Sequence, residues 1–270
     1  MTNSNQAIKG VLLDLDGTLY HGTRMIPGAD RLMEMLTRNN IPFRYVTNNS
    51  SLSPGAFASR LRGMGLPAQA QDVCTSSGAA AKYVAERRAG AKVFIIGESG
   101  LREAAMEAGL QPVEDGADVV LQGIDRELTY AKIARAVDQL LAGAESVMTN
   151  PDLLLPSEHG LMPGAGSIGA MLQAASGKEP IVIGKPSPIL MNYALERLGV
   201  QAADTLVVGD NLATDIGAGI AAGCGTALVL TGLTTADNME HYAAKAGCRP
   251  GVVCADLDAL CSYISERIGQ

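Results

Sequence analysis

The sequence predicts an α/β fold built on a parallel sheet, and three observations predict it. Short apolar runs such as Val11-Leu12-Leu13 alternate along the chain with longer helical patterns, and repeated strand–helix units give a parallel sheet covered on both faces. The composition is 47% hydrophobic, and with few aromatics and no Trp it leaves Ala, Leu, Val and Gly to fill the core, which suits helices packed on such a sheet. Several of the strands end abruptly in polar groups: Asp14/Asp16, Thr47/Asn48 and Asp210/Asp215, with Lys185 just past another. At 270 residues the chain is long for one compact domain and comfortable for two.

Taken in order, the first strand is Val11-Leu12-Leu13, which delivers Asp14 and Asp16 at i and i+2 and then Gly17. Pro27-Gly28 opens a helix with Leu32, Met33, Met35 and Leu36 as its apolar stripe, and Asn39-Asn40 ends it. Ile41–Val46 is the second strand and delivers Thr47-Asn48-Asn49. A serine cap and a first-turn proline at Ser53-Pro54 start a helix that stops at Gly63-Met64-Gly65. Asp72–Thr75 reads as a short strand and Ser76–Arg88 as a helix. The alternation then restarts with Lys92–Ile96 (strand), Gly100–Ala108 (helix), Asp118–Leu121 (strand), Thr129–Ala142 (helix) and Ser146–Met148 (strand). A Pro- and Gly-rich loop over Leu153–Gly166 leads to a helix over Ser167–Ala175. The strand Ile181–Ile183, a helix from Pro188 to Leu198, the buried strand Thr205–Val208 and the strand Thr226–Leu230 follow, with Val252-Val253 and Asp256–Arg267 as the last strand and helix.

The net charge of −7, with no Lys/Arg cluster, argues against nucleic acid as a partner, because no basic groove exists to release counterions. Five cysteines without a CxxC pair argue against a disulfide framework or zinc site and suit reduced cytoplasmic thiols. His21, His159 and His241 are too scattered for a metal site and read as surface or loop residues. The polar start Met1–Ala7 is no signal peptide. The uncharged run Ile216–Ala236 is long enough for a membrane span, but five glycines and four threonines interrupt it. It reads better as a helix end, a turn at Gly223–Gly225 and a strand.

In an open α/β sheet the binding crevice lies at the carboxyl ends of the strands, so the polar strand ends converge although they are far apart in sequence. Singly each has an ordinary reading. Asp14 and Asp16 would be solvated acids of an Asp-Gly turn, Thr47-Asn48 a turn and helix cap, Lys185 a loop lysine, and Asp210-Asn211 a turn with Thr214 or Asp215 capping the next helix. Jointly they are chemically complete for phosphoryl transfer, which needs a nucleophile, an acid for the leaving oxygen and positive charge around the phosphate. Asp14 is the nucleophile, forming an aspartyl-phosphate. Asp16 protonates the leaving alkoxide and then activates water. Thr47 and the amide of Asn48 hold phosphate oxygens, and Lys185 adds fixed positive charge. Magnesium suits the oxygen ligands of Asp14, Asp16 and Asp210, one of them a backbone carbonyl. Asp215, with Asn211, orients Lys185 or a metal-bound water.

The runs Asp14-Leu15-Asp16-Gly17-Thr18, Thr47-Asn48-Asn49, Gly184-Lys185-Pro186-Ser187-Pro188 and Gly209-Asp210-Asn211-Leu212-Ala213-Thr214-Asp215 resemble, in order, the four motifs of the haloacid dehalogenase (HAD) superfamily. Thr149-Asn150-Pro151-Asp152 and the Lys185 run resemble its NagD-like, p-nitrophenyl phosphatase-like class IIA in particular. The resemblance covers nearly the whole chain. It implies a magnesium-dependent phosphatase of small soluble phosphate monoesters, with a Rossmann-like core and an inserted α/β C2-type cap. The expected division is core 1–79, cap 80–180 and core 181–270, with substrate choice in the cap. It also implies a homodimer through the cap.

Three rivals stand beside this reading. Gly164-Ala165-Gly166-Ser167-Ile168-Gly169 is a literal GxGxxG, but Leu161-Met162-Pro163 is a poor strand and no acid follows at residue 189, so a dinucleotide-dependent oxidoreductase is disfavoured. A phospholigand sensor would suit the loss of Asp14 or Asp16, and both are present. A phosphomutase or other phosphotransferase shares the aspartyl-phosphate step, and the large cap favours hydrolysis.

Overall fold

The computed structural model describes residues 7–157 and 160–268. Residues 1–6 of the segment read as lacking a signal peptide, and His159, lie outside the described residues. Contacts divide the chain into two units: residues up to Thr47, Gly55–Cys74 and from Lys185 onward form the first, and Asn48–Pro54 with Thr75–Gly184 form the second.

The first unit begins with β1 (Gly10–Leu13), all four residues buried, as a strand covered on both faces requires. A tight hairpin of β2 (Tyr20–His21) and β3 (Arg24–Met25) follows. Helix α1 (Ala29–Arg38) buries Ala29, Leu32, Met33 and Leu36 on one stripe. It is followed by β4 (Phe43–Thr47), by α2 (Pro54–Gly63), which opens at the boundary between the units, and by β5 (Val73–Thr75).

In the second unit the elements are α3 (Ser76–Arg87), β6 (Lys92–Ile96), α4 (Ser99–Glu107), β7 (Gln111–Pro112), β8 (Val119–Gln122), α5 (Tyr130–Leu141), β9 (Glu145–Met148), β10 (Leu154–Ser157), β11 (Gly160–Pro163), α6 (Ala165–Ser176) and β12 (Ile181–Val182). Thr75 and Thr129 cap α3 and α5 by accepting from the amides of Gly78 and Lys132. Five strands pair in parallel in the order β12-β9-β8-β6-β7. Phe94, Ile96, Val120, Leu140, Ile168 and Leu172 join their helices into one core.

The chain then returns to the first unit with α7 (Pro188–Leu198), β13 (Thr205–Gly209), α8 (Gly217–Ala221), β14 (Gly225–Val229), α9 (Met239–Ala246), β15 (Val252–Cys254) and α10 (Leu257–Ser265). Ser187 caps α7 ahead of Pro188, and Asp256 caps α10. The six-stranded sheet runs β15-β14-β13-β1-β4-β5, with β1 parallel to both of its neighbours. Leu13 is level with Val208 on one side and Tyr45 on the other, so the chain past β1, β13 and β4 emerges at one edge carrying Asp14, Asp210 and Thr47.

The structure corrects two expectations. Leu153–Gly166 is not a plain loop, and Leu161–Pro163 does belong to a strand: β10 and β11 form an antiparallel hairpin. Its prolines misled the reading. They fall in the pairs Pro156↔Leu161 and Leu154↔Pro163, which alternate with the Leu153–Gly164 rung where an amide is used, so neither proline removes a ladder bond. The strand ahead of the GxGxxG run is thus half of a ribbon rather than part of a parallel sheet. Its glycines serve packing: a Cβ on Gly164 would lie 2.2 Å from the Asp152 carbonyl oxygen, and one on Gly166 2.2 Å from that of Pro151. The run Ile216–Ala236 contains α8, a turn and β14, and no helix among the described residues is long and apolar enough to cross a membrane. All five cysteines are free.

Candidate active site

The site is built where β1 stops. The Asp14 amide still donates to the Val208 carbonyl (2.9 Å), so its Cα is fixed by the sheet while its side chain leaves it. Lys185, 2% exposed, reaches the same edge, with Nζ 2.5 Å from Asp14 Oδ1, 2.6 Å from Asp215 Oδ1 and 3.4 Å from the Val46 carbonyl oxygen. The other Asp215 oxygen accepts from the Asn211 amide at 3.1 Å. Asn211 caps the turn over Leu212–Ile216 by accepting from the amides of Ala213 and Thr214, and that turn carries Asp215 back to the lysine. The π-type turn is a local irregularity of the kind found at functional sites.

Asp210 joins Asp14 through Thr18. Its Oδ2 accepts from the Leu233 amide at 2.6 Å, and the Thr18 hydroxyl lies 3.4 Å from its Oδ1 and 3.2 Å from Asp14 Oδ2. The backbone crowds it closely. Gly17 has φ +85°, and a Cβ there would lie 2.5 Å from Asp210 Oδ2, so only glycine serves both the turn and the approach. A Cβ on Gly232 would lie 2.1 Å from the same oxygen. Thr47 closes β4 and is buried.

Three carboxylates, Asp14, Asp210 and Asp215, offer oxygens that all lie within 4.8 Å of one another. Only Lys185 answers them with an ion pair among the described residues. Burial pushes Asp210 above the usual carboxylate range, and the charges of Asp215 and Asp14 push it further. Burial opposes the charge on Lys185, but Asp14 and Asp215 outweigh it and hold the ammonium firmly protonated. An acid cluster short of positive charge, with Asp210 and Asp215 at 5% and 1% exposure, fits a hard divalent cation.

Asp16 differs from these three. It is exposed, and the surrounding protein, with the Asp14 charge second, raises its carboxyl above the ordinary range. It stands beside Tyr20 through an isolated bridge. Asn48 is the first residue of the second unit, where Asn48 Nδ2 donates to Asp152 Oδ2 (3.2 Å) and its carbonyl accepts from Asn150 Nδ2 (2.8 Å) and from the Ser76 hydroxyl (2.5 Å). Asp152 also donates its amide to Asn150 Oδ1 at 3.2 Å, so Asn150-Pro151-Asp152 is a tight turn and a holder of Asn48 at once.

Two family models match the chain, one of haloacid dehalogenase-like hydrolases over residues 11–111 and a second HAD-hydrolase-like model over residues 182–260. The 5'-nucleotidase YutF of Bacillus subtilis (strain 168) is 44% identical over 231 residues, 86% of this chain and 90% of that protein. The chain belongs to the haloacid dehalogenase-like hydrolase family. The solved structure of a p-nitrophenyl phosphatase from Archaeoglobus fulgidus superposes with a TM-score of 0.91 at 35% identity, covering 95% of this chain and 99% of that one. NagD from E. coli K-12 superposes with a TM-score of 0.86 at 30% identity, covering 93% and 97%. Within this family the chain falls in the NagD and p-nitrophenyl phosphatase class, and the five-stranded second unit is its α/β cap.

Sequence reasoning gave no role to Thr18, Thr231, Gly232 or Leu233. Thr18 was visible as the last residue of the first motif. The segment after β14 carries no charged residue to draw notice; it works through the Thr231 hydroxyl, which donates to the Gly17 carbonyl, and through the Leu233 amide. Its signal is position: Thr231-Gly232 lies just past the end of a buried strand, as Asp210 does.

Proposed function

We propose that the chain is a magnesium-dependent phosphatase of small phosphate monoesters that works through a phosphorylated Asp14. The observation that carries this reading is the setting of Asp14. Its side chain is 14% exposed while Asp215 and Lys185 beside it are at 2% and 3%, so one accessible carboxylate is held rigidly on a buried charged base. A nucleophile needs that combination of access and fixed aim.

Phosphate oxygens bind against the Lys185 ammonium, the Thr47 hydroxyl and the amide of Asn48. Asp215 and the Asn211 amide keep Lys185 in place. An Asp14 oxygen attacks phosphorus as the ester oxygen departs, taking the proton of the Asp16 carboxyl. Asp16, now a carboxylate, takes a proton from water, which attacks phosphorus, frees phosphate and restores Asp14. Asp14 and Asp210, with the backbone carbonyl of Asp16, would hold magnesium, and the bound cation would screen the repulsion between carboxylate and phosphate. Relatives named as a 5'-nucleotidase and a p-nitrophenyl phosphatase support nucleoside monophosphates and aryl phosphates as first candidates, with sugar phosphates and phosphoglycolate next.

The test is phosphate release from a panel of such monoesters, with magnesium and with EDTA. Release that needs magnesium is expected. A well-folded protein that releases phosphate from none of them, or equally well in EDTA, contradicts the reading.

A further inference from the structure

Asp16 must aim its carboxyl at the leaving oxygen, yet no side chain among the described residues hydrogen-bonds that carboxyl. Its aim is therefore set by backbone, and the backbone here is a tight loop closed on β2. The Gly17 amide donates to the Tyr20 carbonyl (2.8 Å), and Asp16 bridges to Tyr20. The β2–β3 hairpin has only two residues per strand, and such a hairpin is not stable by its own pairing. Its Gly22 turn is exposed, with φ +59° and nothing within 4 Å of where a Cβ would sit, so the turn has no packing of its own.

Arg60, on α2, supplies the missing support. Its Nη2 donates to the Gly22 carbonyl at 2.7 Å, and its guanidinium lies over the Tyr20 ring, 5.1 Å from the centroid. Arg60 makes no ion pair among the described residues; one arm of its fork is held by the hairpin, and its charge also acts on the Asp16 carboxyl, opposing the rise that burial causes. A second tether faces it: His21 Nε2 lies 2.7 Å from the Thr231 carbonyl oxygen, and the Thr231 hydroxyl donates to the Gly17 carbonyl at 2.8 Å.

We propose that Arg60 is a positioning residue for Asp16, which it aims by clamping the β2–β3 hairpin through Gly22 and Tyr20. This rests on the phosphatase reading and on Asp16 as its general acid. Arg60 acts on the step that needs a proton, not on the grip on phosphate, which belongs to Lys185 and Thr47. Loosening the clamp costs most where the leaving group is a poor one, because misplacing an acid by about an ångström costs on the order of a hundredfold.

The experiment compares the first-turnover release of alcohol from an alkyl phosphate with that of p-nitrophenolate from p-nitrophenyl phosphate, in the wild type, Arg60→Ala and Arg60→Lys. Arg60→Ala should slow alkyl phosphate cleavage about 10- to 100-fold and p-nitrophenyl phosphate cleavage less than about threefold, within the span general acids supply. KM should stay within about twofold, since the phosphate contacts are untouched. Arg60→Lys keeps a donor for Gly22 but loses the planar stack and should fall between. If Arg60→Ala does not fold, His21→Phe, which removes the opposite tether, should show the same leaving-group bias. Equal losses on both substrates, or no loss, overturn the proposal while wild-type turnover leaves the phosphatase reading standing. A wild type that cleaves neither ester overturns the phosphatase reading itself.

Discussion

Replacing Lys185 with methionine removes the ammonium that sits 2.5 Å from Asp14 and 2.6 Å from Asp215 while roughly keeping the buried stem. Among the described residues, three acids then face one another with no counter-ion, and Asp215, 1% exposed, keeps only the Asn211 amide. Breaking a buried pair in this way costs about 3–5 kcal/mol. For a protein of this size each kcal/mol shifts Tm by about 2–4 °C, so the EDTA-treated Lys185→Met protein should melt roughly 6–20 °C below wild type. The assay is thermal denaturation in EDTA of wild type, Lys185→Met, Asp215→Asn and the double variant. Removing one charge of each sign should return much of the loss, with a coupling of about 1–3 kcal/mol between the two positions. A Lys185→Met protein that melts within about 2 °C of wild type, or a double variant no more stable than the single, would refute the reasoning about the cluster.

Other outcomes follow from the same geometry. Asp16→Ala should cut turnover of alkyl phosphates by about 10²–10⁴-fold, while a p-nitrophenolate burst persists in rapid-mixing experiments because that leaving group needs little protonation; loss of the burst to the same degree would count against the acid role. Burial raises Asp210 to about 8, above its unfolded value, so the metal-free fold is favoured by the protonated carboxyl. That contribution is whole below the ordinary carboxylate range and is lost as pH rises toward 8. Melting in EDTA should therefore show Tm falling over that window, with Asp210→Asn flattening the fall and magnesium raising Tm most at its alkaline end. A fall as steep in Asp210→Asn would place its source elsewhere.

Much of the fold was legible because parallel α/β units write their strands as apolar runs and their helix starts as caps. Val11–Leu13, Lys92–Ile96 and Thr205–Val208 read as strands since both faces are buried. The site acids stood out because Asp14 and Asp210 follow such strands with no local partner. What escaped the sequence was structure without a periodic signature. The β10–β11 hairpin hid behind prolines at positions where no amide is needed. The β2–β3 hairpin is too short for alternation to show, and Arg60 and Thr231, which tether it, are distant in sequence. The hold of Leu233 and Gly232 on Asp210 is made by main chain, which carries no residue-type signal. Asn48 was legible as a strand-end residue but not as a partner of Asp152, a contact across 104 positions.

The most direct test of Asp14 as nucleophile is to catch the phosphoenzyme. Protein mixed with substrate and magnesium is quenched in acid within a turnover, reduced with borohydride to mark any acyl phosphate, and mapped by peptide mass spectrometry. The nucleophile assignment predicts a hydroxylamine-labile phosphate and a reduction mark on Asp14, both absent from Asp14→Asn. An active wild type with the mark on another residue, or an Asp14→Asn protein that still turns over at the wild-type rate, would contradict it.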